Sequence, residues 1–199
     1  MDHYFTIEKS SSAEFKDRGS RFIAYAYPVE NADAFKKYLQ SLKKEHAKAV
    51  HHCFAYRLGV NGDNFRVNDD GEPSGSAGKP ILGQIDSKKL TDTAVIVVRY
   101  FGGTLLGVPG LINAYKTATA LVLQTVPVVQ KQIEVLVSLQ FDYTLMNSVM
   151  QVIKQYNCTL IEQEMQLFSF LKIGIPKNRL GEVLFKLKEL RNLELKHIL

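Results

Sequence analysis

Residues 91–124, TDTAVIVVRYFGGTLLGVPGLINAYKTATALVLQ, carry three kinds of chain in immediate succession. Val95, Ile96, Val97 and Val98 form a β-branched run that is apolar at every position, the pattern of a strand buried on both faces. A turn with glycines at 102, 103, 107 and 110 follows. From Leu111 the period changes: Leu111, Ala114, Ala118, Leu121 and Val122 mark the inner face of a helix with Pro109 near its first turn. Strand, glycine loop and helix meet here. Gly102, Gly103, Gly107 and Gly110 thus expose backbone N–H groups at a helix N-terminus, where a phosphate is favoured. The loop is neither a Walker loop nor the dinucleotide fingerprint, and glycines equally serve a tight strand-to-helix turn.

Upstream, Tyr4–Glu8 and Arg21–Val29 read as strands, with SSSAEFKDRGS between them as a polar connection or strand lead-in. Asn31 is placed to cap a helix over residues 32–46, in which Phe35, Leu39 and Leu42 recur at helical spacing while Lys36, Lys37, Lys43 and Lys44 fall outside the stripe. That basic face suits nucleic acid, or simply solvent. Ala49–Leu58 alternates as a strand that puts His51, Cys53 and Arg57 on one face, and Phe65–Asn68 pairs with it as a hairpin. DDGEPSGSAGKP is too rich in Gly, Pro, Asp and Ser to continue a sheet; Ser74 or Ser76 could open a short helix toward Gln84.

After Pro127 the pattern restarts. A strand over 132–142, a helix over 145–156, strands over 159–166 and 168–175, a helix over 179–190 and a strand over 193–198 give the order βαββαβ, the ferredoxin-like unit. Two domains are expected, 1–128 and 129–199, in an α+β chain.

The bulk properties agree with a globular protein. The 199 residues are 46% apolar, enough to bury a core, and no apolar run approaches the length of a membrane span. MDHYFTIEKSSSAEF lacks the features of a secretory signal, so the protein is expected in the cytoplasm, without a membrane partner. Its two cysteines, Cys53 and Cys158, fall in different expected domains, and a disulfide between them is not expected. The net charge of +5 permits a nucleic-acid partner or serves solubility.

Three clusters could carry chemistry. Asp69, Asp70 and Glu72 could hold a hard cation, but their spacing does not follow a calcium loop. His51, His52 and Cys53 offer soft ligands without the second pair that zinc requires, so no metal and no cofactor is expected. Cys53 beside His51 invites a thiol nucleophile, against the commoner role of a small buried cysteine.

Taken in order, AVHHCFAYRLG, NDDGEPSGSAGKPIL and VIVVRYFGGTLLGVPGLINAY resemble the signature of the IMPACT family in its bacterial form, and the resemblance covers nearly the whole chain. His51, Cys53, Tyr56, Asp69, Asp70, Gly71, Glu72, Pro73, Gly75, Gly78, Pro80, Arg99, Tyr100, Phe101, Gly102, Gly103, Gly107 and Gly110 stand at signature positions. Ser76, Pro109 and Asn113 depart from the usual Thr, Gly and basic residue, and the last two weaken the case for a phosphate at the helix entrance.

The resemblance implies a first domain like the second domain of a small-subunit ribosomal protein and a second like a domain of elongation factor G. It also implies a role in translation. Eukaryotic members restrain a starvation-responsive kinase that controls initiation, using an N-terminal domain that has no counterpart here. The leading expectation is a non-enzymatic regulator or accessory factor of translation that binds RNA or the ribosome through Arg57, Lys79, Arg99 and the glycine loop. The rival is a hydrolase of a phosphorylated or peptide substrate, with His51 as base and Asp70 or Glu72 as acid or metal ligand. A third reading docks a protein on the second domain's sheet. Arg99 could instead be buried, paired with Asp69 or Asp70.

Overall fold

A computed structural model describes residues 2–165 and 168–198. The chain divides into two compact units, Tyr4–Lys131 and Gln132–Leu199 with Met1–His3.

The first unit contains β1 (His3–Ile7), β2 (Ser11–Asp17), β3 (Ser20–Pro28), α1 (Ala32–Glu45), β4 (His51–Leu58), β5 (Asn64–Asn68), α2 (Gly78–Ser87), β6 (Thr93–Tyr100), α3 (Gly107–Thr125) and β7 (Val128–Gln132). Five strands form an antiparallel sheet in the order β2-β3-β6-β4-β5, and β1 pairs with β7 in a separate two-stranded sheet.

β6 lies at the centre, and its alternation decides the layering. Val95 and Val97 pack with Phe22, Cys53 and Ala55 against Ile81 and Ile85 of α2 and Ala114, Tyr115 and Ala118 of α3. Ala94 and Ile96 face the other way, into a cluster with Phe54, Tyr56, and Phe35 and Leu42 of α1. Both faces are covered, which is why residues 94–98 of the strand are apolar at every position. α1 starts where Asn31 predicts: its Oδ1 accepts from the backbone N–H of Asp33 at 3.1 Å and of Ala34 at 2.8 Å.

β2 corrects the reading of SSSAEFKD as a connection. It is an edge strand whose half-buried side, Ala13 and Phe15, packs on the core while its alternate positions face solvent. The helix α3 also buries Tyr115, Thr119 and Leu123, whereas Leu121 is only half-buried.

The second unit holds β8 (Glu134–Phe141), α4 (Met146–Gln155), β9 (Thr159–Met165), β10 (Ser169–Pro176), α5 (Leu180–Lys188) and β11 (Leu193–Ile198). Its antiparallel sheet has the order β11-β8-β10-β9, the ferredoxin-like βαββαβ arrangement. Val149 and Ile153 of α4 and Val183 and Leu187 of α5 cover one side of it, over Val137, Leu139, Leu171 and Ile173. The strand expected from 132 starts instead at Glu134, because residues 128–132 belong to β7. Among the described residues, no helix is long and apolar enough to cross a membrane.

Candidate functional site

The signature segments converge on the face of the first unit that carries α2 and α3. Arg99 on β6 is flanked in the sheet by His51 of β4 and Phe22 of β3. The β5–α2 loop brings Glu72 over this row, and α3 brings Tyr115.

The loop is held by its own carboxylates. Asp69 caps α2 from a distance: Oδ1 accepts from the N–H groups of Ala77 and Gly78 at 3.0 and 2.8 Å, and Oδ2 from Gly75 at 2.9 Å. Burial works to raise the Asp69 pKa, but these N–H groups and the charge of Lys79 outweigh it and hold the carboxyl below its ordinary value. Neither expected serine opens the helix. Ser76 donates to the Pro73 carbonyl at 2.6 Å, and α2 begins at Gly78. Asp70 sits at φ +43° and is clamped to β4: His51 Nδ1–H donates to its carbonyl at 2.7 Å, and the His52 N–H donates to Oδ2 at 2.7 Å. Lys43 of α1 lies 3.6 Å from Oδ1. At Gly71, φ +89°, an added Cβ would lie 3.4 Å from His51 Nδ1.

Glu72 is the centre of the network. Its side chain is only 3% exposed, and Oε1 accepts from Arg99 Nη1 at 2.6 Å and Tyr115 Oη at 2.8 Å, with His51 Nε2 at 3.8 Å. Arg99 is therefore buried, as the structural alternative expected, but its partner is Glu72 rather than Asp69 or Asp70. Its guanidinium also lies 5.4 Å from the ring of Phe22 and 5.7 Å from that of Phe101. Cys53 Sγ is 3.0 Å from the Asp69 carbonyl and 3.2 Å from Tyr115 Oη. Burial pushes the Cys53 thiol far above its ordinary range, which removes it as a nucleophile.

The expected phosphate contacts do not assemble on one surface. Arg57 binds Asp86 with both forks, at 2.7 and 2.9 Å, and donates to the Gly62 carbonyl. Arg99 is buried, so of the three cations only Lys79 is exposed. Tyr56 and Tyr100 belong to the α1 side: Tyr56 packs on Phe35, and Tyr100 Oη lies 2.9 Å from His46 Nδ1. The glycine turn has a packing cause at Gly102, where an added Cβ would fall 1.9 Å from the Gly19 carbonyl carbon. Gly107 and Gly110 lie in the first turn of α3, which has neither a side-chain cap nor an acidic residue.

Above the buried network opens a cleft of about 350 Å³. His51, Glu72 and Arg99 line its floor, and Pro73, Leu106 and Leu111 its walls. Its mouth is formed by exposed apolar side chains, Leu105 (81% exposed), Val50, Phe101 and Val108. Among the described residues no three His, Cys, Asp or Glu converge as a metal-ligand set. A larger groove of about 610 Å³, beside Thr6, Glu30 and Asp92, contains none of the signature residues.

Residues 18–123, which include the whole network, match the family model for the Impact N-terminal domain. The chain belongs to the IMPACT family. Among its IMPACT relatives it is similar to YvyE of Bacillus subtilis, 35% identical over 81% of this chain and 75% of that one. It is also similar to YigZ of Escherichia coli, 32% identical over 85% of this chain and 84% of the other. A solved structure of a hypothetical protein matches all of the chain and 98% of its own length at 28% identity and a TM-score of 0.78.

Within this IMPACT chain, Tyr115 and Ser20 are members of the buried network that sequence reasoning passed over. Tyr115 carried a readable signal, a polar-tipped aromatic one turn from Leu111 on the inner face of a helix. Ser20 carried none. Its Oγ accepts from the Gly102 N–H at 3.2 Å across 82 residues.

Proposed function

We propose that this chain is a non-enzymatic regulator or accessory factor of translation that docks on a ribonucleoprotein particle through the cleft mouth of its first unit. The translation assignment rests on the family resemblance. The docking surface rests on one observation: the charged groups at the cleft floor are spent on one another, Arg99 on Glu72 at 2.6 Å, while the residues at the mouth are apolar and exposed. An exposed apolar rim around a neutralised floor suits a protein surface of the particle better than phosphate.

Co-sedimentation with ribosomal particles tests this. The wild type should travel with the particles and Leu105→Asp should not, with binding retained as salt rises. Binding that falls steeply with salt and ignores Leu105→Asp would instead mark phosphate contacts. The hydrolase reading has one geometric support, His51 Nε2 facing Glu72 at 3.8 Å. Against it, Glu72 is already hydrogen-bonded by Arg99 and Tyr115, and Asp70 is held by the backbone N–H of His52.

A further inference from the structure

The sheet of the second unit ends on β9, and that edge is open. All seven residues of Thr159–Met165 are exposed, and β9 pairs on one side, with β10. A free edge presents a row of backbone N–H and C=O groups ready to pair with another strand. Leu160, Ile161 and Met165 are apolar side chains on it, at 37, 42 and 57% exposure. A bulge at Ile161, opposite the step from Lys172 to Ile173, confines the regular ladder to Glu162–Met165. Glu162 and Glu164 carry all the charge of the strand. The register puts both on the face away from the helices, beside Lys172 and Phe170 of β10.

This edge differs in charge from two others. On β2, Glu14 is bridged by Lys16 at 3.1 Å and by Arg21 at 2.7 Å. On β11, Glu194 lies 3.6 Å from Lys196. Those carboxylates find their counter-charge within their own sheet. On β9, Glu162 meets Lys172 at 3.3 Å from the inner side, and Glu164 has no ion-pair partner among the described residues. An added strand places a residue directly beside each of them, in the cross-strand position where an opposite charge stabilises and a like charge destabilises. Charge of one sign therefore selects the occupant. Two copies of β9 paired antiparallel about Gln163 would set Glu162 opposite Glu164 twice. A nucleic-acid backbone would bring phosphates to the same carboxylates. A segment with Lys or Arg at alternate positions meets neither objection, and its intervening residues fall on the side of Gln163 and Met165.

We infer that the free edge of β9 receives an extended segment of a partner protein with basic residues at alternate positions. The segment pairs along residues 162–165 as a further strand of the sheet and sets its basic side chains beside Glu162 and Glu164. Main-chain hydrogen bonds hold it, and the two carboxylates choose it. The edge shares no residue with the cleft of the first unit, and the inference does not rest on the docking role proposed above.

The test uses the full-length protein and, as probe, a blocked seven-residue peptide alternating lysine and valine. Calorimetry reads affinity, and amide hydrogen exchange reads the strand. Saturable binding is expected, with exchange in residues 159–165 slowed about tenfold at saturation. A peptide alternating glutamate and valine should bind about tenfold more weakly. Glu162→Gln/Glu164→Gln, at exposed positions and with circular dichroism unchanged, should weaken the lysine peptide by a similar factor. Glu162→Lys/Glu164→Lys should reverse the preference between the two peptides, a readout that misfolding cannot produce. The inference is overturned if the lysine peptide does not bind, or binds without slowing exchange in 159–165. It is equally overturned if the preference survives the charge reversal, or if a peptide with its lysines and valines in separate blocks protects β9 as well. Protection of β9 by single-stranded RNA, or by self-association of the protein without peptide, would assign the edge to a different occupant and overturn it too.

Discussion

Glu72 and Arg99, 27 residues apart in sequence, form an ion pair of 2.6 Å in which both side chains are more than nine-tenths buried. The pair joins the acidic loop to the central strand β6. Its worth lies less in net stabilisation than in the penalty for breaking it, since removing one partner strands a buried charge.

Arg99→Ala and Glu72→Ala should each destabilise the first unit by about 3–5 kcal/mol in urea unfolding. The double variant Arg99→Leu/Glu72→Leu should lose less than the sum of the two. Additive losses would mean that the two residues act independently.

Asp69 contributes through backbone N–H groups, and Asp69→Ala should cost about 0.5–2 kcal/mol at neutral pH, the range of a lost helix cap. Because its folded pKa is depressed, this contribution is complete above the unfolded value of about 3.9. It disappears as pH falls through the lower folded value, so wild type and variant should converge in strong acid. A difference that persists there would place the effect elsewhere.

His52 shifts stability in the same direction, in a higher pH window and for a different reason. Burial holds its pKa below the ordinary value, against the opposing charge of Asp70, and its Nε2 is buried without a partner. Between the folded value and the unfolded value of about 6.5 the unfolded chain binds more protons, so stability rises with pH across that window. Acidification below about 6.5 should therefore lower the melting temperature more in the wild type than in His52→Gln. Parallel curves would show that His52 contributes nothing.

Asp70→Asn separates a bracing role from a metal site. The variant tolerates the left-handed backbone but loses the Lys43 contact and weakens the bond from His52, so a lower melting temperature is expected. Stoichiometric Mg²⁺ or Mn²⁺ in the wild type, lost in Asp70→Asn with no change in melting, is the contrary result.

Residues 4–131 and 132–199 should fold as separate fragments, each giving a cooperative thermal transition, since each has its own core. Aggregation or absence of a transition in either fragment would show that it depends on the other.

What was legible in the sequence was what local periodicity encodes. β6 announced itself because both faces are buried, α1 because Asn31 stands directly before it, and the second unit because its helices each have one apolar side. β2 was not legible as a strand, because an edge strand half in solvent reads as polar chain. The start of α2 was hidden for another reason: its cap is Asp69, eight residues before the helix N-cap Ala77, and such a contact exists only once the loop is folded. Candidate residues were found by type, but the partner of Arg99 was not, since Asp69, Asp70 and Glu72 are equally plausible anions until the loop's turn places one of them over β6. The apolar mouth went unnoticed because single exposed leucines and valines are ordinary in a sequence and become a patch only in three dimensions.

The contact of Gly102 with Gly19 is backbone on backbone, leaving no side chain whose rotation could loosen it. It anchors the loop that carries Phe101 and Leu105 at its base. Exposed apolar side chains on a free loop would fold back over the nearest apolar cavity, and a partner would have to pull them away before binding. Anchored this way, the loop is ordered as the chain folds, so under the docking role proposed above association would not have to supply its ordering entropy.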